Sequence, residues 1–287
     1  MIDLLFVTEM GNGVMKTEIN IFEQTFKDID IFVNMPENNC LKPVTGRFST
    51  PFRGTLFGTS KILTVTEIFK SKQIEILWLG SNPNGKFHEE RLFNFLDGRT
   101  DIESFYEGFV RQMNSGYFSE QGEFGKEAWD PINAPKRGWK LMSERMPDSI
   151  KESILMANFL PWESEKFGSF LNKLSDRDNG LLERILEFCA GLNQRLIEAL
   201  SPKTIIVPKS VWDSSWLKKS KKTNLVVSAE DAKIDLKDNK KTYSFYVGKR
   251  MYKNCETKII FCYHPSFLNR MGIEGRNKYL DALAKEF

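Results

Sequence analysis

The chain has 287 residues, 41% of them hydrophobic and 28% charged, with a formal net charge of +3. This is the composition of a globular chain with one large domain or two small ones, and it excludes a disordered or collagenous protein. Its two histidines, His88 and His264, are not at ligand spacing and its four cysteines form no C-x-x-C, so neither a metal site nor a cofactor is expected.

In chain order, the first segment opens with Asp3 and Glu9 where a secretory leader would need a basic region. No run reaches the roughly 18 apolar residues of a membrane span, and the sparse cysteines suit a reducing compartment. The expectation is a cytoplasmic, prokaryotic protein that acts as a monomer without a membrane. Residues 1–72 carry Gly11–Gly13, Asn38–Pro43 and the Phe-rich stretch Phe48–Phe57, with weak periodicity. They predict an extension packed on a main body formed by residues 73–287.

Within that body four apolar runs predict buried strands: Ile74–Leu79, Ile154–Leu160, Thr204–Val207 and Lys258–Tyr263. Short, nearly continuous apolar runs are how strands covered on both faces read. Between and after them, helical spacing marks Glu89–Leu96, Ile102–Met113, Leu181–Leu200 and a last helix around Gly275–Lys285. The third has Leu181, Ile185, Cys189, Leu192 and Leu196 on one stripe, with Asp178 or Asn179 available as its cap. Gly116–Trp139, rich in Gly, Pro and aromatics, predicts a long surface loop. Alternating strands and helices predict an α/β domain with right-handed crossovers.

Charge is unevenly spread. Ser201–Lys253 holds 13 Lys and Arg against 5 Asp and Glu, a local +8 that leaves the rest of the chain at −5. A one-sided basic segment is the footprint of a polyanion partner. Lys218, Lys219, Lys221 and Lys222 at its middle fit equally the pattern of a solvated loop.

Ligands of open α/β sheets bind at the carboxyl ends of the strands. The first run leads into Gly80-Ser81-Asn82-Pro83-Asn84-Gly85-Lys86, the second contains Asn158, and the fourth leads into His264-Pro265-Ser266-Phe267-Leu268. Gly80–Lys86 also matches the phosphate-binding loop G-x-x-x-x-G-K. The match fails at Phe87, where a magnesium-ligating hydroxyl is needed, and at Pro83, which lacks an N–H to offer a phosphate. The second strand ends in Asn158 where an Asp would hold the metal. A nucleotide triphosphatase is therefore the third reading.

The three strand ends together resemble the uracil-DNA glycosylase superfamily: a G-x-N-P motif at Gly80–Pro83, Asn158 on the second strand, and H-P-S at His264–Ser266. The resemblance covers roughly residues 74–287. It implies a three-layer α/β/α fold with a central, mostly parallel four-stranded sheet. It also implies catalysis by Asn82 and His264, base contacts from Asn158, Phe95, Ser81 and Asn84, and DNA contacts from Ser266, Lys86 and a wedge at Leu268.

The chemistry follows from the residue types. An enzyme acting on a base extrudes it, reads its Watson–Crick edge and stacks it on a ring. Phe95 supplies a ring, and the Asn158 amide supplies a donor and an acceptor for uracil, or for cytosine after a flip. His264, as neutral imidazole, would donate to the base oxygen while Asn82 positions water. Leu268 would fill the gap in the stack, and Ser266 and Lys86 would contact phosphates. His88 reads as a surface residue.

Two departures narrow the expectation. Asn84 stands where strictly uracil-specific members carry a Tyr guarding the C5 position, and Phe267 replaces a Pro common after H-P-S. The expected activity is monofunctional excision of uracil or a C5-modified pyrimidine, with a possible antiphage use against glucosyl-hydroxymethylcytosine. The alternative is a nucleic-acid-binding protein of the same fold with weak catalysis, because Asn at position 82 activates water less well than Asp.

Overall fold

Two kinds of strand sequence occur in this molecule: continuous apolar runs, and runs in which apolar residues are interrupted by polar ones. The structure is a computed structural model and describes residues 24, 28–29, 31–38, 52–56, 74–80, 141–142, 144–147, 150, 153–160, 171–172, 174–176, 180–209, 232–238, 241–253 and 255–287. Its strands are β1 (Phe52–Leu56), β2 (Ile76–Gly80), β3 (Ile154–Asn158), β4 (Thr204–Pro208), β5 (Ala232–Asp238), β6 (Lys241–Tyr252) and β7 (Cys255–Cys262). Among the described residues they form one seven-stranded sheet in the order β1-β3-β2-β4-β7-β6-β5.

The four apolar runs form the centre, β3-β2-β4-β7, with every neighbouring pair parallel. The expected four-stranded sheet needs correction, because three antiparallel strands extend it into a mixed sheet: β1 beside β3, then β6 and β5 beyond β7. These strands escape a search for continuous apolar runs. In β6, Tyr243, Ser244 and Phe245 are all buried while Thr242 and Lys249 are exposed, and in sequence its apolar residues are interrupted by polar ones, so no continuous apolar run marks it. β1 lies inside the expected extension of residues 1–72, so Phe52–Leu56 of that stretch is an edge strand of the same sheet among the described residues.

One core gathers Ile76, Trp78, Ile206, Ile260, Cys262, Tyr243 and Phe245 beneath Tyr279, Leu280 and Leu283. The last three belong to a C-terminal helix, Ile273–Ala284, labelled α2 below. Alternation sends Leu77, Leu79, Ile205, Val207, Ile259 and Phe261 to the opposite face, each at most 2% exposed. The preceding helix, α1 (Leu181–Leu200), buries Leu181, Ile185, Cys189, Leu192 and Leu196 outside the first core, which puts it on that opposite face.

The ends of α1 differ from expectation at one point. Its N-cap is Gly180, with no side-chain cap hydrogen bond, rather than Asp178 or Asn179. At its other end Ser201 turns left-handed, with φ 47°, and its N–H bonds to the Ile197 carbonyl. Pro202 follows and disfavours helix at the residue before it.

Residues 28 and 32–38 are pinned along α1. Phe32 stacks on Phe188 at 4.1 Å, Arg195 pairs with Asp28 at 2.6 Å, and Arg184 donates to Asn38 Oδ1 and the Glu37 carbonyl. The exposed ion pair contributes at most about 1 kcal/mol, so it mainly sets register. Among the described residues, no helix is long and apolar enough to cross a membrane. The expected helices at 89–96 and 102–113 and the loop at 116–139 lie outside the described residues.

Candidate active site

Because the four central strands are parallel, their carboxyl ends share one edge. β2 ends at Gly80 and β3 at Asn158, which pair directly; β4 ends at Pro208 opposite Cys262 of β7. His264 follows two residues after β7. At about 4.8 Å per strand step, the β3 and β7 ends are about 14 Å apart, with β2 and β4 forming the floor between them.

Asn158 is 7% exposed. A Cβ on Gly80 would lie 2.8 Å from its Oδ1 and 3.4 Å from the Ala157 carbonyl. The amide therefore leans across β2, over a residue with no side chain to obstruct it. No described residue hydrogen-bonds this amide. Its polar atoms keep some contact with solvent, an arrangement suited to a polar group whose partner is a ligand.

The backbone around Asn158 is tightly held. Phe159 N–H donates to the Gly80 carbonyl at 2.7 Å. From α1, Asn193 donates to the Phe159 carbonyl at 2.8 Å and to the Cys189 carbonyl at 2.7 Å. Asn193 went unnoticed in the sequence, although a buried amide between Leu192 and Leu196 on an apolar stripe is a visible anomaly.

His264 is anchored through its neighbours. The Tyr263 N–H donates to the Tyr279 hydroxyl at 2.9 Å, and the Phe267 N–H donates to the His264 carbonyl at 2.8 Å. The His264 residue is exposed, yet lost hydration lowers its pKa from 6.5 to about 4. At neutral pH the imidazole is uncharged, a donor at one nitrogen and an acceptor at the other.

The H-P-S loop forms a 3-10 turn, Pro265–Arg270, which includes Ser266. Within it the expected wedge must be corrected: Leu268 is 1% exposed and belongs to the core beside α2. One position of register accounts for the difference, because the turn directs Leu268 inward and leaves Phe267 half-buried. The Phe267 ring stacks on Tyr263 at 4.5 Å.

At the end of β4, Lys209 donates to Ser244 Oγ at 2.8 Å and lies 5.2 Å from the Tyr246 ring centre and 5.0 Å from that of Tyr263. The fourth strand end thus carries a cation that sequence reading passed over, although it follows Thr204–Pro208 as the other motifs follow their strands. Ser81, Asn82, Asn84, Lys86, Phe95, Lys218, Lys219, Lys221 and Lys222 lie outside the described residues, as does His88. The structure therefore brings Asn158, Gly80 and the His264 loop to one edge.

A comparison of the chain with protein-family models and with curated proteins returned no match.

Proposed function

We propose that this chain is a monofunctional DNA glycosylase that excises uracil or a C5-modified pyrimidine, acting as a cytoplasmic monomer on a uracil-DNA glycosylase-like, three-layer α/β/α fold. One observation carries the reading. Asn158, a buried residue, presents an amide without a hydrogen-bond partner among the described residues at the carboxyl edge of a parallel sheet, with a neutral His264 on the same edge. A flipped pyrimidine offers the donor and acceptor that this amide lacks.

In the proposed reaction, Asn158 holds the base edge and Phe95 its face. Water positioned by Asn82 adds to the sugar C1′ as the N-glycosidic bond breaks. The bonding electrons leave with the base as an anion, stabilised by a hydrogen bond from the neutral His264 imidazole, and the water's proton ends on the released base. Loss of one preorganised donor of this kind costs about 10²- to 10³-fold in rate. The small Asn84 leaves room for a 5-substituent, including the bulky groups of modified phage cytosines.

The test is strand breakage by alkali after incubation in EDTA with single- and double-stranded DNA carrying uracil, thymine mismatches, or hydroxymethyl- and glucosyl-hydroxymethylcytosine. Breaks that disappear in Asn82→Ala and His264→Ala, with DNA affinity retained, support the reading. Intact strands throughout overturn it in favour of a binding protein on the same fold. That second reading draws on the burial of Leu268, which removes the expected wedge from the surface.

A further inference from the structure

β5 closes the sheet beyond β6, and among the described residues it has a strand on one side only. Its pairing with β6 runs unbroken from Ala232 opposite Val247 to Asp238 opposite Lys241. Two residues join these strands, so the closing pair Asp238–Lys241 is a hydrogen-bonded one, and Leu236, Ile234 and Ala232 likewise direct their N–H and C=O groups to β6. The backbone groups of Lys233, Asp235 and Lys237 therefore point away from the sheet, where a further strand would meet them. Asp235, at mid-strand, is exposed, and Ile234 and Leu236 are only half-buried against the core beneath α2.

Such an edge invites pairing, and lysine is a common means of preventing it. Here each lysine has an acidic counterpart. The stretch Asp231-Ala232-Lys233-Ile234-Asp235-Leu236-Lys237 is its own charge complement when reversed. Antiparallel to a second copy about Ile234, it sets Asp231 opposite Lys237, Lys233 opposite Asp235, Ala232 opposite Leu236 and Ile234 opposite itself. Opposite charges facing across strands are favourable, whereas like charges are not. Moving the dyad to Leu236 sets Ile234 against Asp238 and Lys233 against Asn239, so the sequence favours the first register. The same lysines repel a strand without matching acids, so the edge selects its own copy.

We propose that β5 is a self-recognition edge: two copies of this chain pair β5 to β5, antiparallel about Ile234, and join their seven-stranded sheets into one. The two-fold axis stands perpendicular to the sheet. The carboxyl edges of the two copies, each with its own Asn158 and His264, then face opposite directions. Each copy keeps a whole site, so the chemistry stays with the single chain and the dimer is its state of association. The inference stands apart from the glycosylase reading.

The test is sedimentation velocity of the full chain over a hundredfold range of concentration. The average mass is expected to climb from 33.2 kDa toward twice that value. Asp235→Lys and Lys233→Asp each set like charges opposite one another at two symmetric positions, and each should weaken self-association at least about 10-fold. Mixed together, the two variants should form a heterodimer, because the lysines of one then face the aspartates of the other. The double variant Lys233→Asp/Asp235→Lys should dimerise as the wild type does. Circular dichroism melts establish that these variants fold.

A separate measurement leaves the charges untouched. In Ile234→Cys the two thiols would face each other across the dyad with Cα atoms about 4.5 Å apart, within disulfide reach. Diamide, which takes up the two thiol hydrogens, should give a covalent dimer that the wild type does not form. A chain that stays at 33.2 kDa throughout, a dimer that both single variants leave intact, variants that do not associate on mixing, or an Ile234→Cys chain that does not cross-link would each overturn the proposal. Loss in Asp235→Lys with none in Lys233→Asp would move the dyad to Leu236 and overturn the register about Ile234.

Discussion

The amide oxygen of Asn158 lies 2.8 Å from where Gly80 would carry a Cβ, so the two residues share one space at the paired ends of β2 and β3. Glycine at the end of the first strand is thus a condition for the asparagine at the end of the second. Gly80 and the asparagine 78 positions after it are one structural unit.

Gly80→Ala should therefore act on Asn158. The new methyl group meets Oδ1 and the Ala157 carbonyl, and overpacking of this kind costs about 1–3 kcal/mol. The expected result is a folded variant with a lower melting temperature and base release reduced by at least about 10-fold. Wild-type rates in Gly80→Ala would show that the displaced amide does not read the base.

Asn158→Ala should separate stability from activity. Its side chain has no hydrogen-bond partner among the described residues, so truncation orphans no protein group and stability should stay within about 1 kcal/mol of wild type. Base release should fall about 10²-fold or more. Chemical denaturation and the alkali assay measure the two effects on the same samples.

The low pKa of His264 predicts a direction for pH dependence. Its folded value, about 4, lies below the ordinary 6.5 because the ring is poorly hydrated. The unfolded chain takes up a proton near pH 6.5, whereas the folded ring resists until about 4, so folding stability falls as pH drops through that window and is insensitive to this group above it. Imidazole NMR should show one of the two histidines neutral down to about pH 4, and His264→Gln should remove that signal and flatten the stability profile. Two histidines titrating near 6.5 would contradict the desolvation of this ring.

Leu268→Ala is expected to behave as a core truncation. The residue is 1% exposed in the cluster that contains Trp78, Ile260 and Leu280, and buried Leu→Ala changes cost 2–5 kcal/mol as a rough range. Its melting temperature should fall well below that of Phe267→Leu. Unchanged stability together with a selective loss of duplex processing would return Leu268 to the wedge role.

The parts of the fold that sequence made legible are those governed by a single strong pattern. Continuous apolar runs marked β2, β3, β4 and β7 within a few residues, and the stripe from Leu181 to Ile197 marked α1. The antiparallel strands were not legible, because in β6 Tyr243 and Phe245 are separated by polar residues within a lysine-rich segment and form no continuous apolar run. At the site, Asn158 and His264 stood out because each polar residue ends an apolar run. The inward turn of Leu268 was not legible, since one position of register in a 3-10 turn decides which of two adjacent apolar residues meets solvent.

The two bonds from Asn193 extend the influence of α1 beyond the core it covers. One side of this rigid helix steadies the chain just past Asn158, and the other carries residues 28 and 32–38 through Phe188, Arg184 and Arg195. A segment far from every motif thus bears on the Asn158 amide as the far arm of a lever bears on its tip. Damage to that segment should first appear as poorer discrimination between bases, with strand affinity retained.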